Sequence, residues 1–80
     1  MPYIKQNYRS IVEEAGADNP GELNYLITMN CLDYLSTTNQ KYEDFNAVIG
    51  ALECAKLEMY RRMIAPYEDN KKEENGDVYS

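Results

Sequence analysis

The sequence predicts an all-α chain: an antiparallel helical hairpin (about 20–36 and 42–65), a short N-terminal helix (about 6–15) and a charged C-terminal tail. Three observations carry that prediction. Apolar or small residues recur at Phe45, Val48, Ile49, Leu52, Ala55, Met59 and Met63, in steps of three and four, the repeat of a helix with one buried face. Asn19-Pro20-Gly21-Glu22 is a helix start: a preferred N-cap, a proline at N1 and an acid at N3 that can reach back. Nowhere does a stretch of strand-like alternation compete with these signals.

The elements follow in chain order. Met1 to Lys5, with Pro2 ahead of Tyr3-Ile4, reads as an extended, docked arm. In the segment Gln6 to Ala15, Tyr8, Ile11, Val12 and Ala15 share a helical face, and Gly16 is a natural stop. A helix this short needs a platform. The next helix carries the stripe Leu23, Leu26, Ile27, Cys31, Tyr34 and Leu35, with Asn24 and Thr28 forming a polar seam four residues apart. Ser36 to Gln40 is a polar connector of ordinary length for a helix pair.

The rod from Tyr42 to Ala65 comes next, roughly 36 Å long at 1.5 Å per residue. Glu43 and Asp44 open it and Arg61 and Arg62 close it, as the helix dipole favours. Glu53 with Lys56 and Glu58 with Arg62 are spaced to pair along it. Pro66 is expected to end it, since proline breaks the ladder and biases Ala65 away from helical geometry. Gly50, Ala51 and Cys54 form a run of small side chains, read either as a helix contact or as a shallow recess. Residues 1–66 are therefore one helical domain. The charged segment 67–80 is a tail, flexible or docked on a neighbour, with Asn75-Gly76 as a turn signal.

Composition narrows the function. Eighty residues with net charge −6 and a pI near 4.5 argue against nucleic acid as a general partner; an acidic mimic of nucleic acid is disfavoured by the interspersed Lys and Arg. No apolar run approaches membrane-spanning length, and Met1 to Lys5 lacks the apolar core of a leader, so a cytoplasmic protein is expected. Without histidine, Ser-His and Cys-His catalysis are unavailable. With two cysteines in addition, a structural zinc site is excluded. In the hairpin, Cys31 and Cys54 would be offset by roughly 9 Å along the axis. That separation predicts two buried free thiols rather than a disulfide.

Taken together, MPYIK at the start, PGELNY at 20–25, LECAKLE at 52–58 running on as MYRR, APYED at 65–69 and ENGDVY at 74–79 resemble a family of short phage and bacterial proteins of uncharacterised function. The resemblance implies a mobile-element origin and a small cytosolic protein, and brings no activity with it. It draws attention to Asn24, Tyr25, Thr28, Glu53, Lys56, Tyr60, Arg61 and Arg62.

The functional expectation is stoichiometric binding without catalysis, and no cofactor or metal. Lys56, Tyr60, Arg61 and Arg62 put cations and an aromatic ring at one end of the rod, and Asn24, Tyr25 and Thr28 open the preceding helix. Together they are the candidate site for a small nucleotide-like ligand at a helical subunit interface, cations gripping phosphate and tyrosines stacking on a base. The bland alternative is that these cations pair with Glu53, Glu58 and the acidic tail. A homo-oligomer, dimer or higher, is expected, because extended apolar faces on so short a chain need cover. The alternative functions are inhibition of a host protein, such as a host-defence factor, and a Mg²⁺-dependent nucleotide phosphohydrolase. The last is weakened by Glu13-Glu14 lying in a short helix and by Glu53 and Glu58 lying off one face.

Overall fold

The computed structural model describes residues 1–79. Helices account for every regular element among them: a 3₁₀ turn Gln6–Tyr8, α1 (Arg9–Ala15), α2 (Pro20–Ser36), α3 (Tyr42–Met59), a π-helical turn Tyr60–Ile64, and α4 (Ala65–Asn75). The chain divides into two compact units, Met1–Phe45 and Asn46–Ser80, the break falling within α3.

In the first unit the expected helix starts and stops are in place. Gly16 takes φ 95°, and its N–H donates to the Val12 carbonyl to close α1. Asn19 caps α2: its Oδ1 accepts from the Glu22 N–H at 2.9 Å. Glu22 reaches back one residue further than a standard capping box would, Oε1 accepting from the Asp18 N–H at 2.9 Å. The N-terminal arm is tied down as expected. Arg9 Nε and Nη2 both donate to the Ile4 carbonyl at 3.3 Å, and the Met1 carbonyl would lie 3.6 Å from a Cβ at Gly21. The connector turns at Gln40, which adopts φ 54°. Lys41, the residue before α3, offers no side-chain cap, and its own N–H donates to Asp44 Oδ2 at 3.0 Å.

The core of this unit is small. Val12, Tyr25 and Leu35 are its buried residues. Tyr25 is fixed by α1: the Arg9 guanidinium lies 5.9 Å from its ring centroid, and the Glu13 carboxylate acts on its hydroxyl from the same helix.

The second unit departs from expectation at Pro66, where the helix continues instead of stopping. A proline inside an α-helix leaves the carbonyl four residues back without a donor and drives its ring against it. Here the preceding turn is widened to the π form, with the Ala65 N–H donating to the Tyr60 carbonyl. The extra residue makes room for the ring, and Pro66 occupies the first turn of α4, where a missing N–H is harmless. Ala65 stays helical at φ −59°, ψ −45°, against the usual bias of a residue before proline.

Residues 67–75, read from sequence as part of a tail, are therefore helical. Lys71–Glu74 at 3.2 Å and Lys72–Asp69 at 4.0 Å brace α4 at i,i+3 spacing. Asn75-Gly76 is not a free turn but the helix terminus: Gly76 takes φ 91° and its N–H donates to the Lys72 carbonyl.

Two further expectations are corrected. Both cysteines are free, but Cys54 is exposed and Cys31 half-buried, because neither sits among the few buried side chains. A Cβ at Gly50 would meet nothing within 4 Å among the described residues, so no helix contact is made there within them.

Candidate functional site

The residues singled out from sequence fall into two groups, one in each unit. In the first, the Thr28 hydroxyl donates to the Asn24 carbonyl at 2.8 Å and lies 3.3 Å from Asn24 Oδ1. The seam is thus a local side-chain-to-backbone bond of the kind common in helices. Tyr25 is buried under α1, so its ring is not free to stack on a ligand. Burial is the main reason its phenol is pushed above the ordinary tyrosine range, and the neighbouring Glu13 carboxylate, as acceptor and as charge, adds to it.

In the second unit the cations have carboxylates beside them. Lys56 Nζ lies 3.1 Å from Glu53 Oε1. Arg61 bonds directly to Glu58, and Arg62 Nη1 lies 4.0 Å from the other oxygen of the same carboxylate. These pairs are exposed and individually weak. Their arrangement matters more: two guanidiniums share one acid, so one positive charge in this turn is left over.

Tyr60 is placed by the π turn. In an uninterrupted α-helix, residues eight apart point about 80° away from one another, at roughly 100° per residue. The extra residue in the π turn brings Tyr60 and Glu68 to within about 20° of the same face. The Tyr60 hydroxyl accordingly donates to Glu68 Oε1 at 2.7 Å. That bond, then the Glu68 charge and partial burial, push the Tyr60 phenol upward. Sequence reasoning did not pair these residues, because it ended the helix between them.

A recess of about 490 Å³ adjoins this bond, lined by Tyr60, Glu68, Lys71, Lys72, Asp77 and Tyr79 among others. Lys71 Nζ stands 5.7 Å from the Tyr67 ring centroid, and the lysines are paired as described above. A second recess, about 380 Å³, is apolar and lined by Leu57, Met59, Tyr60, Ile64 and the stem of Lys56.

Open apolar surface dominates both units. On α2, Leu23, Ile27 and Tyr34 share one face and are 53%, 40% and 52% exposed. On α3 and the π turn, the stripe that helical spacing marks for burial stands open: Phe45 44%, Ile49 64%, Leu52 38%, Met59 59% and Met63 66% exposed. No residue of α3, the π turn or α4 is buried. Scattered exposed apolar side chains are ordinary, but aligned rows of them mark contact surfaces. No helix among the described residues is long and apolar enough to cross a membrane, so these rows are not spans.

Comparison with known proteins returns one family. It is described as a domain of unknown function (DUF6899), and it matches residues 1–78. No curated protein matches the chain, and no solved structure does.

Proposed function

For a chain that belongs to the family of the domain of unknown function DUF6899, we propose a non-enzymatic role: stoichiometric binding of another protein through open helix faces. The observation that carries this reading is the aligned exposure of Leu23, Ile27 and Tyr34 on α2. The spacing i, i+4, i+11 forms the anchor row by which amphipathic helices engage a groove. The resemblance to short phage proteins supports a host protein as the target and the host cytosol as the place of action. The chain would then act as an inhibitor, occupying a surface of a host factor.

A second reading, sequestration of a small nucleotide-like ligand at a subunit interface, is favoured by one observation. Arg61 and Arg62 share the single carboxylate of Glu58, which leaves a cation to meet a phosphate. Tyr25 and the paired Lys56 contribute less to that reading than their sequence positions suggest.

One experiment separates the two. The protein is purified from host cells, denatured by heat, and its released small molecules and co-purified proteins are identified by mass spectrometry. Protein contact predicts one host protein in fixed ratio, lost from the Leu23→Glu variant, and no nucleotide. Recovery of a nucleotide in fixed ratio, lost from the Arg62→Ala variant, overturns protein contact in favour of sequestration.

A further inference from the structure

Charge is distributed unequally between the two units. Every ion pair among the described residues lies between Glu53 and Glu74. The first unit, Met1–Phe45, carries seven acids against Lys5, Arg9 and Lys41. Arg9 is engaged elsewhere, with the Ile4 carbonyl and the Tyr25 ring. On α2 the imbalance is complete: its seventeen residues include two charges, Glu22 and Asp33, both acidic. These two are separated by three turns and about 20°, so they stand on one edge of the helix, about 16.5 Å apart along it. Each directly precedes an anchor of the exposed row, Glu22 before Leu23 and Asp33 before Tyr34. The row spans about 40° of the helix, and Asn30 fills its i+7 place, so no charge interrupts it. Its other edge, Asn24, Thr28 and Cys31, carries no carboxylate or cation. Tyr25, buried under α1, lies about 160–180° round from the row, so the core and the row occupy opposite sides of α2.

Asp33 works against the free fold. It opens the last turn of α2, which holds no basic residue, and the C-terminal end of a helix disfavours an anion. No cation pairs with it among the described residues. Glu22 differs, because it sits where the dipole favours an acid and one of its oxygens accepts from the Asp18 N–H. An uncompensated conflict such as that of Asp33 marks a position held for a purpose outside the fold.

We propose that α2 docks in a groove of the target protein that is apolar along its floor and carries lysine or arginine along one rim only. Leu23, Ile27 and Tyr34 enter the floor. Glu22 and Asp33 meet two cations of that rim, about 16.5 Å apart. An uncharged centre with a charged margin is the common anatomy of a protein interface. Charges at the margin govern the choice of partner and the rate of encounter more than the final affinity. An acidic unit is drawn toward a basic rim over several ångströms and is turned away from an acidic groove of the same shape.

The proposal rests on the reading that α2 binds protein, and adds the chemistry of the partner. The probes are two designed helix–turn–helix peptides with the same leucine-lined groove, one rim bearing lysines in the first and glutamates in the second. Each is immobilised, and binding of the full chain is followed by surface plasmon resonance at low and at physiological salt. Association with the lysine-rimmed peptide should be about tenfold faster or more, and the advantage should shrink as salt rises. Leu23→Glu should abolish binding to both. Asp33→Lys should remove most of the preference, and should at the same time raise the thermal midpoint of the free chain by roughly 2 °C or more. Equal binding to both peptides, lost on Leu23→Glu, would leave α2 a protein-binding face and overturn the basic rim. Absence of any Leu23-dependent binding would overturn the docking of α2 itself. A preference that survives Asp33→Lys, or a midpoint that does not rise, would show that Asp33 is not the selecting charge and would also overturn the proposal.

Discussion

Replacing Pro66 by alanine tests the account of the second unit most directly. Proline in a helix interior costs about 3 kcal/mol relative to alanine, and the π turn at Tyr60–Ile64 is how this chain accommodates it. With alanine at 66 the N–H returns and can donate to the Arg62 carbonyl, so the widened turn should close to the α form. Closing it removes one residue of phase, and Tyr60 and Glu68 swing from about 20° to about 80° apart. Their hydrogen bond, 2.7 Å in the structure, cannot survive that rotation. Helix content should rise, measured by circular dichroism at 222 nm, with a gain of up to about 3 kcal/mol in helix propensity. At the same time the Tyr60 phenol, raised chiefly by its bond to Glu68, should titrate earlier, read as phenolate absorbance at 295 nm against a Tyr60→Phe control. A variant that gains helix while keeping a late-titrating Tyr60 would refute the reasoning, because the bond would then not depend on the π turn.

Asn19→Ala removes the acceptor of the Glu22 N–H and should cost about 1 kcal/mol, or roughly 4–8 °C in thermal midpoint, measured by thermal denaturation. Gly50→Ala should stabilise the helix by up to about 1 kcal/mol, since a Cβ there meets nothing; destabilisation would mean that another helix rests on Gly50 after all. Tyr25→Phe should delete a late phenol step from the alkaline titration. The sign follows from linkage. Burial and then Glu13 raise the folded Tyr25 phenol above its unfolded value of 10.0, so this contribution to stability is complete below pH 10. It is lost as pH rises through the folded value, where the unfolded chain has already released its proton. The wild-type chain should therefore lose stability above pH 10 more steeply than Tyr25→Phe, measured by denaturant midpoints.

What the sequence made legible was what local chemistry decides. The start of α2 could be read from Asn19, Pro20 and Glu22 because an N-cap is specified by residues that touch only one another. Gly16 marked the end of α1 because no other residue adopts its positive φ as easily. The i,i+3 pair of Glu53 and Lys56 was visible for the same reason. Pro66 misled because the rule that proline ends a helix assumes an unbroken α ladder, and a single π turn evades it. A signal was present beyond the proline: Asp69–Lys72 and Lys71–Glu74 carry helical pair spacing. Tyr25 was misjudged differently. Its burial depends on Arg9 and Glu13 arriving from α1, and nothing near residue 25 in the sequence announces them. The candidate site divided along the same line: the cation pairings on α3 could be read from spacing, whereas the Tyr60–Glu68 bond required the structure.

The last prediction follows from an imbalance. From Asn46 to Asn75 the chain is continuous helix, yet none of those residues is buried. Helical order at such length is marginal in water without a packed face, and here Gly50 and Pro66 both lower the intrinsic propensity. Surface ion pairs such as Lys56–Glu53 and Lys71–Glu74 supply only a few tenths of a kcal/mol each. The remainder must come from covering the row that starts at Phe45, so folding of this unit should be coupled to association. Coupling of this kind has a signature that no monomer can imitate: each tenfold rise in protein concentration above the dissociation constant should add about 1.4 kcal/mol to the apparent stability of the dimer. The thermal midpoint, followed at 222 nm, should then climb by several degrees per decade of concentration, and Ile49→Glu should flatten the slope. A midpoint constant over a hundredfold range would show that the rod stands without a partner, and the exposed row would then need a different explanation.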